Sequence, residues 1–150
     1  MREVAGRVLI DAAREAAVHA HAPYSHFGVG AAALLSDGQI VTGANFENAS
    51  YGLSLCAETV ALATASSQGR LRDIVAIGVI GGALAKDGSL TGSALVTPCG
   101  RCRQILNEAV QLGGVDIDIY CGSADGEDFA HFRASELLPH AFGPADLGIR

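Results

Sequence analysis

Apolar residues recur at helical spacing through residues 3–20. Val4, Val8, Ala12, Ala16 and Ala20 form one line, with Leu9, Ala13 and Ala17 beside it. A stripe of that period predicts an amphipathic helix, and Pro23 predicts its end, because the residue before a proline is pushed out of the helical region. Two apolar runs follow, 28–35 and 40–46, separated by Ser36-Asp37-Gly38-Gln39. Asp-Gly between such runs predicts an antiparallel hairpin, since glycine takes the positive φ that the turn needs. Residues 47–54 are polar and read as a loop. Residues 56–67 are alanine-rich and read as a helix. The run 73–81, with Ile74, Val75, Ile77, Val79 and Ile80, is apolar on both faces and predicts a buried strand. A Gly/Ser loop is expected over 82–94.

The second half repeats the alternation of helix and strand. Residues 98–112 carry a proline near the start and Gly113-Gly114 past the end, the usual asymmetry of a helix. Residues 115–120 alternate strictly between apolar and polar and predict a strand. Asp125-Gly126 turns the chain into a weaker strand over 129–132. A helical turn follows at 135–138, and then an irregular tail. The order α-β-β-α-β-α-β-β-α predicts an α/β fold with a single mixed sheet and helices on both faces.

Composition narrows the class. Of the 150 residues, 49% are hydrophobic and only 17% charged, which excludes a disordered chain and supplies one core. A single domain over 1–150 is expected. The longest apolar run, 74–85, is interrupted by glycines and falls short of the roughly 18 residues that a membrane span needs. The first residues show no apolar segment of a secretion signal, so a cytoplasmic protein without a membrane partner is expected. The net charge is −6, with no basic stripe to neutralise phosphates, which disfavours a nucleic-acid partner. The glycines, 19 in number, read as punctuation at element ends.

The chemistry concentrates in three cysteines. Cys99 and Cys102 are three apart at the start of a predicted helix, so both sulfurs can face one point. Cys56 opens the preceding helix. Two helix N-termini at the same end of the sheet would bring three thiolates together, and each contributes about half a positive charge there. Three protein ligands leave a fourth tetrahedral position open, the arrangement of catalytic zinc. Glu58 is two residues from Cys56, a spacing that diverges on a helix, so it belongs beside the metal and can carry protons. Two alternatives stand at this point. Cys121 could complete a structural four-cysteine site in a module that mediates protein contacts, and Cys99-x-x-Cys102 could be a redox pair. The five histidines show no metal spacing with the cysteines.

Cys56-Ala57-Glu58, followed by Pro98-Cys99-Gly100-Arg101-Cys102-Arg103-Gln104, resembles the zinc-dependent cytidine deaminases of the small homotetrameric type. Pro23-Tyr24-Ser25-His26-Phe27-Gly28-Val29-Gly30-Ala31 is similar to that family's first strand entry. Residues 43–51 are similar to its nucleoside-binding segment, and 136–143 to its C-terminal segment. The resemblance implies a three-layer α/β/α fold with a mixed five-stranded sheet. It implies hydrolytic deamination of cytidine and 2′-deoxycytidine in pyrimidine salvage, one Zn²⁺ per chain, and a homotetramer with shared active sites. Cys56, Cys99 and Cys102 would be the zinc ligands. Glu58 would move the proton from the attacking water to N3 and to the leaving amino group. The Ala57 N–H would hold the base O2 and the Thr97 carbonyl the C4 amino group. Asn45 and Glu47 would hold the ribose hydroxyls, and Phe27 would pack on the nucleoside. Phe142 would stack on cytosine and Tyr51 approach the ribose, both from neighbouring subunits. Deaminases of polynucleotides use histidine as the first ligand, so Cys56 and the acidic charge point to a free nucleoside. A cytosine nucleoside analogue, such as an aminoacyl-nucleoside antibiotic, is the rival substrate. One departure is Thr59, where the family often carries an arginine that offsets thiolate charge.

Overall fold

The computed structural model describes residues 2–150. Helix α1 (Arg2–Ala17) precedes a hairpin of β1 (Phe27–Leu35) and β2 (Ile40–Ala44). Helix α2 (Ala57–Ser67), strand β3 (Ile74–Leu84) and a two-residue strand β4 (Leu90–Thr91) follow. Helix α3 (Gly100–Gly113), strands β5 (Asp118–Ser123) and β6 (Phe129–Arg133), and a short helix α4 (Ala134–Leu137) complete the chain. The sheet order is β2-β1-β3-β5-β6, with β4 pairing β3 as a sixth, minor strand. All the ladders are antiparallel except β3 with β5. The expected α/β class and mixed sheet are present, with five strands in the main order; the sixth strand is an addition.

The central strands are buried on both faces, and their side chains alternate between two cores. Ala31, Ala33, Ile77, Val79, Ile119 and Cys121 face one core, which includes Ala57, Ala61, Leu62, Leu106 and Ala109 of α2 and α3. Ala32, Ala76, Ile80 and Tyr120 face the other, against Leu9, Ile10 and Ala13 of α1. The result is three layers, with α1 alone on one side and α2 and α3 together on the other.

Several glycines lie inside strands and not at element ends, because they let helices rest directly on the sheet. A Cβ on Gly30 would stand 1.8 Å from the Ala13 carbonyl oxygen of α1, and one on Gly43 would stand 2.5 Å from the Ala61 nitrogen of α2. The second contact sets the height of α2, and therefore of Cys56 and Glu58, above the sheet.

Three element boundaries differ from the sequence reading. Helix α1 stops at Ala17, short of residue 20, because the chain turns extended where His21 donates its N–H to the Asn45 carbonyl at 3.0 Å. Strand β3 continues to Leu84 and returns through the Asp87-Gly88 turn into β4, where only a loop was expected. Strand β5 begins at Asp118 and continues through Ser123, later than the alternating run 115–120. The Asp116 carboxylate is engaged elsewhere, accepting the Ser135 N–H and hydroxyl at 3.1 and 2.7 Å. Beyond Tyr120, strand β5 is covered on both faces, which needs no alternation.

The crossovers decide where the chemistry sits. Helix α2 leaves the C-terminal end of β2, and α3 leaves the C-terminal side of β3. Because β1 is antiparallel to both, these ends coincide with the start of β1, where Gly30 pairs Ala44 and Phe27 pairs Ala83. Both helix N-termini therefore open onto one edge of the sheet, the region outside strand C-termini where open α/β folds place ligands.

Candidate functional site

Cys56 and Cys99 are the N-cap residues of α2 and α3, and Cys102 lies in the first turn of α3. The three sulfurs lie within 4.8 Å of one another, with Cys56 and Cys99 3.8 Å apart, and none is in a disulfide. A tetrahedral zinc with Zn–S bonds of about 2.3 Å sets its sulfurs about 3.8 Å apart. The donor set therefore fits zinc in spacing and in chemistry, and the ring of three leaves one tetrahedral direction for another ligand. Among the described residues, this is the only cluster of three or more metal-ligating side chains. Cys121, fully buried within the core under α2 and α3, is not part of it.

Burial, ahead of the charge of Glu58, pushes the Cys102 thiol up, and burial likewise raises Cys56. Burial also works against ionised Cys99. There the backbone N–H of Cys102 and the neighbouring Cys56 thiol outweigh it, and the pKa falls below the ordinary thiol range. Loading a metal must displace protons from the raised pair, so metal affinity depends on pH.

A cavity of about 240 Å³ opens beside the cysteines, and Asn45, Glu47, Cys56, Ala57, Glu58, Thr97 and Cys99 all contribute to its wall. These are seven of the residues that the sequence nominated, drawn from three segments. Glu58 is 4% exposed, and burial raises its carboxyl above the usual range. That places a proton-accepting group in a dry wall, the environment that moves a carboxylate towards the pKa of a general base at neutral pH. Ala57 and Glu58 belong to the first turn of α2, whose N–H groups have no partner within the helix.

The two residues expected at the sugar are tied to the β1 end of the chain. Asn45 Oδ1 accepts the Val29 N–H at 2.9 Å, and its Nδ2 donates to the Phe27 carbonyl at 2.9 Å. One amide hydrogen and one lone pair remain for a ligand. Glu47 accepts from the backbone N–H groups of Tyr24 and Ser25 and from the Ser25 hydroxyl. The Ser25 hydroxyl, ahead of the opposing effect of burial, holds the Glu47 carboxyl below its ordinary value. Glu47 is therefore anionic at neutral pH and can only accept. Phe27 is 41% exposed, and its ring edge lies over Gly81, where an added Cβ would stand 3.2 Å from it.

Tyr51 and Phe142 stand apart from the cysteine cavity. Tyr51 is 74% exposed on a 3₁₀ turn and meets Tyr24 edge-on. Both tyrosines line a second cavity of about 330 Å³, which adjoins the first through Glu47 and Ser54. Phe142 is 61% exposed on the far side of α3, where its carbonyl accepts from Gln104 Nε2 at 2.7 Å and Asn107 Nδ2 at 3.2 Å. Thr59 Oγ1 lies 3.6 Å from Cys102 Sγ, within hydrogen-bond reach of the sulfur but without an arginine's charge. The nearby arginines bond oxygens: Arg101 reaches the Ser54 carbonyl at 3.2 Å, and Arg103 the Pro98 carbonyl at 2.7 Å. Ser25, Ser54 and Val96 were not singled out as site residues by the sequence. The Ser25–Glu47 contact spans 22 positions, and no local pattern signals it.

Known proteins resemble this chain over most of its length. The family described as the cytidine and deoxycytidylate deaminase zinc-binding region matches residues 6–113. A cytidine deaminase of Halalkalibacterium halodurans is 45% identical over 141 residues, covering 94% of this chain and 96% of the relative. One from Mycobacterium tuberculosis is 42% identical over 147 residues, covering 98% and 96%. Among solved structures, cytidine deaminase from Burkholderia pseudomallei superposes with a TM-score of 0.77 at 40% identity, covering 91% of this chain and 98% of that one. The Mycobacterium tuberculosis enzyme superposes with a TM-score of 0.68 at 38% identity, covering 91% and 96%.

Proposed function

This chain belongs to the cytidine and deoxycytidylate deaminase zinc-binding family, and on that footing we propose that it hydrolyses cytidine and 2′-deoxycytidine to uridine and 2′-deoxyuridine with release of ammonia. That reaction belongs to pyrimidine salvage. The observation that carries the reading is the cluster of three cysteine sulfurs, two of whose residues line one cavity together with the buried carboxyl of Glu58, the amide of Asn45 and the carboxylate of Glu47.

Cys56, Cys99 and Cys102 hold one zinc ion, which when bound supplies the Lewis acid that makes water nucleophilic near neutral pH. Glu58 takes a proton from the attacking water and delivers it to N3 of the base. As the C4–O bond forms and the C4–N bond breaks, Glu58 passes the second proton to the departing amino group. The product pair, uridine and ammonia, accounts for every atom of cytidine and water. Ala57 N–H, free at the helix start, holds the base O2. The Thr97 carbonyl accepts from the C4 amino group. Asn45 and Glu47 hold the sugar, and Phe27 covers an apolar face of the nucleoside. The acidic net charge of −6 and an anionic Glu47 at the sugar end favour a free nucleoside over a phosphorylated one. No helix among the described residues is long and apolar enough to cross a membrane; a cytoplasmic location is proposed with the nucleoside substrate. The test is direct. Purified protein loaded with zinc is expected to release one ammonia per cytidine as the cytosine absorbance falls. No ammonia from either nucleoside would sink the reading.

The working unit we propose is a homotetramer with shared sites. Tyr51, Leu53, Phe46 and Phe142 are each more than half exposed in the single chain, an apolar load that a neighbouring copy would bury. In this arrangement Phe142 stacks on the cytosine of a neighbour's site, and Tyr51 approaches the sugar. The check mixes two inactive proteins, Glu58→Ala and Phe142→Ala, after dissociation and reassembly. Random mixing pairs an intact Glu58 with an intact Phe142 at about one site in four, so activity is expected to return. Verified mixed tetramers that stay inactive would return Phe142 to its own chain's site.

A further inference from the structure

The direction of the Glu47 carboxylate is set by a turn that precedes it in sequence by more than twenty residues. Oε1 accepts the N–H groups of Tyr24 and Ser25 at 3.1 and 3.2 Å, and Oε2 accepts the Ser25 hydroxyl. The same hydroxyl oxygen accepts the Phe27 N–H at 3.1 Å. A serine hydroxyl has one proton. With Phe27 donating to its oxygen, that proton is directed at Glu47. The turn is held in a demanding conformation, because His26 sits at φ +56, in the left-handed region that costs energy for a residue with a Cβ. Its N–H bonds the Ala22 carbonyl at 3.0 Å, and its own carbonyl accepts the Leu84 N–H at 2.9 Å. These bonds keep Ser25 under Glu47 while Phe27 enters β1.

A carboxylate offers about four acceptor positions. Three of those on Glu47 are taken within the chain, which leaves one on Oε2. Glu47 lines both adjoining cavities, so a ligand can reach that position. From this geometry we infer that Ser25 is a positioning residue of the sugar subsite, fixing Glu47 so that its one open acceptor meets a single sugar hydroxyl. The inference rests on the sugar-binding role proposed above for Glu47. The C3′ hydroxyl is common to cytidine and 2′-deoxycytidine, the two proposed substrates, and it is the one tested.

The quantity to measure is the ratio of kcat/KM for 2′-deoxycytidine to that for 2′,3′-dideoxycytidine, in zinc-loaded protein. Ser25→Ala is expected to lower this ratio by about 10–100-fold, the range for loss of one hydrogen bond to a charged group. The loss should fall on KM for 2′-deoxycytidine, with kcat little changed. Zinc content and melting temperature should stay near those of the parent, since Ser25 is exposed. Ser25→Thr keeps the hydroxyl and is expected to restore most of the ratio. Glu47→Ala is run alongside. If Glu47→Ala collapses the ratio while Ser25→Ala leaves it intact, Glu47 binds the sugar without help from Ser25 and the inference fails alone. Should Glu47→Ala itself leave the ratio intact, the sugar role of Glu47 fails and the inference goes with it. Equal losses on the two nucleosides with Ser25→Ala would reduce Ser25 to a folding role and overturn the inference.

Discussion

Replacing Glu58 by alanine is expected to cut turnover on cytidine by about 10⁴-fold or more, while the protein keeps its fold and its zinc. Proton transfer by a positioned side chain contributes roughly 10²–10⁴. In the proposed reaction Glu58 serves two transfers, from water to N3 and then to the leaving nitrogen, so the loss belongs at the upper end or beyond. The fold should not suffer. Alanine is the best helix former, and the carboxyl removed is one whose burial already works against its ionised form. The metal should stay because the three sulfurs converge without any contribution from Glu58. Glu58→Gln sharpens the test, since it keeps shape and polarity and loses only the proton carrier. Turnover by kinetics and zinc by atomic absorption on the same sample decide the matter. Zinc loss in Glu58→Ala would make Glu58 a ligand, and near-normal turnover would move the proton carrier elsewhere.

The second large effect separates the cysteines. Cys56→Ala, Cys99→Ala and Cys102→Ala are each expected to abolish both bound zinc and activity, whereas Cys121→Ser should leave zinc at one per chain. Outer partners of a metal site are worth about 10–100-fold in affinity, and removal of a direct thiolate ligand from a set of three should cost more. The distinction is spatial. Cys121 lies in β5 within the core, and burial, ahead of the charge of Glu58, pushes its thiol up to about 12. It therefore stays protonated and packs as a small apolar group. Its serine variant introduces a hydroxyl into that core, so a melting temperature a few degrees lower is expected with metal content intact. Loss of zinc in Cys121→Ser would revive the four-cysteine structural site, which has no open ligand position and no use for Glu58.

The sequence by itself determined the alternation of elements, and it nominated the residues that carry the proposed chemistry. Both rest on local properties. Apolar period separates α1 from β3, and Asp37-Gly38 and Asp125-Gly126 mark turns through the positive φ that Gly38 and Gly126 adopt. Cysteine spacing put Cys99 and Cys102 on one side of a helix start before any fold was known. The helix boundary after Ala17, the late start of β5 and the strand β4 escaped, because each depends on a partner distant in the chain: His21 on Asn45, Asp116 on Ser135, Ala83 on Thr91. Tertiary structure alone decided that two helix N-termini open on the same sheet edge. That follows from β1 running antiparallel to both β2 and β3, and it is what turns Cys56 and Cys99, 43 positions apart, into neighbours at 3.8 Å. It alone put glycines under α1 and α2, where a side chain would lift the helices off the sheet. The grip of Ser25 on Glu47 is of the same kind. A hydrogen bond between a turn and a loop has no period and no propensity, so it exists only once the hairpin and α2 have closed around the site.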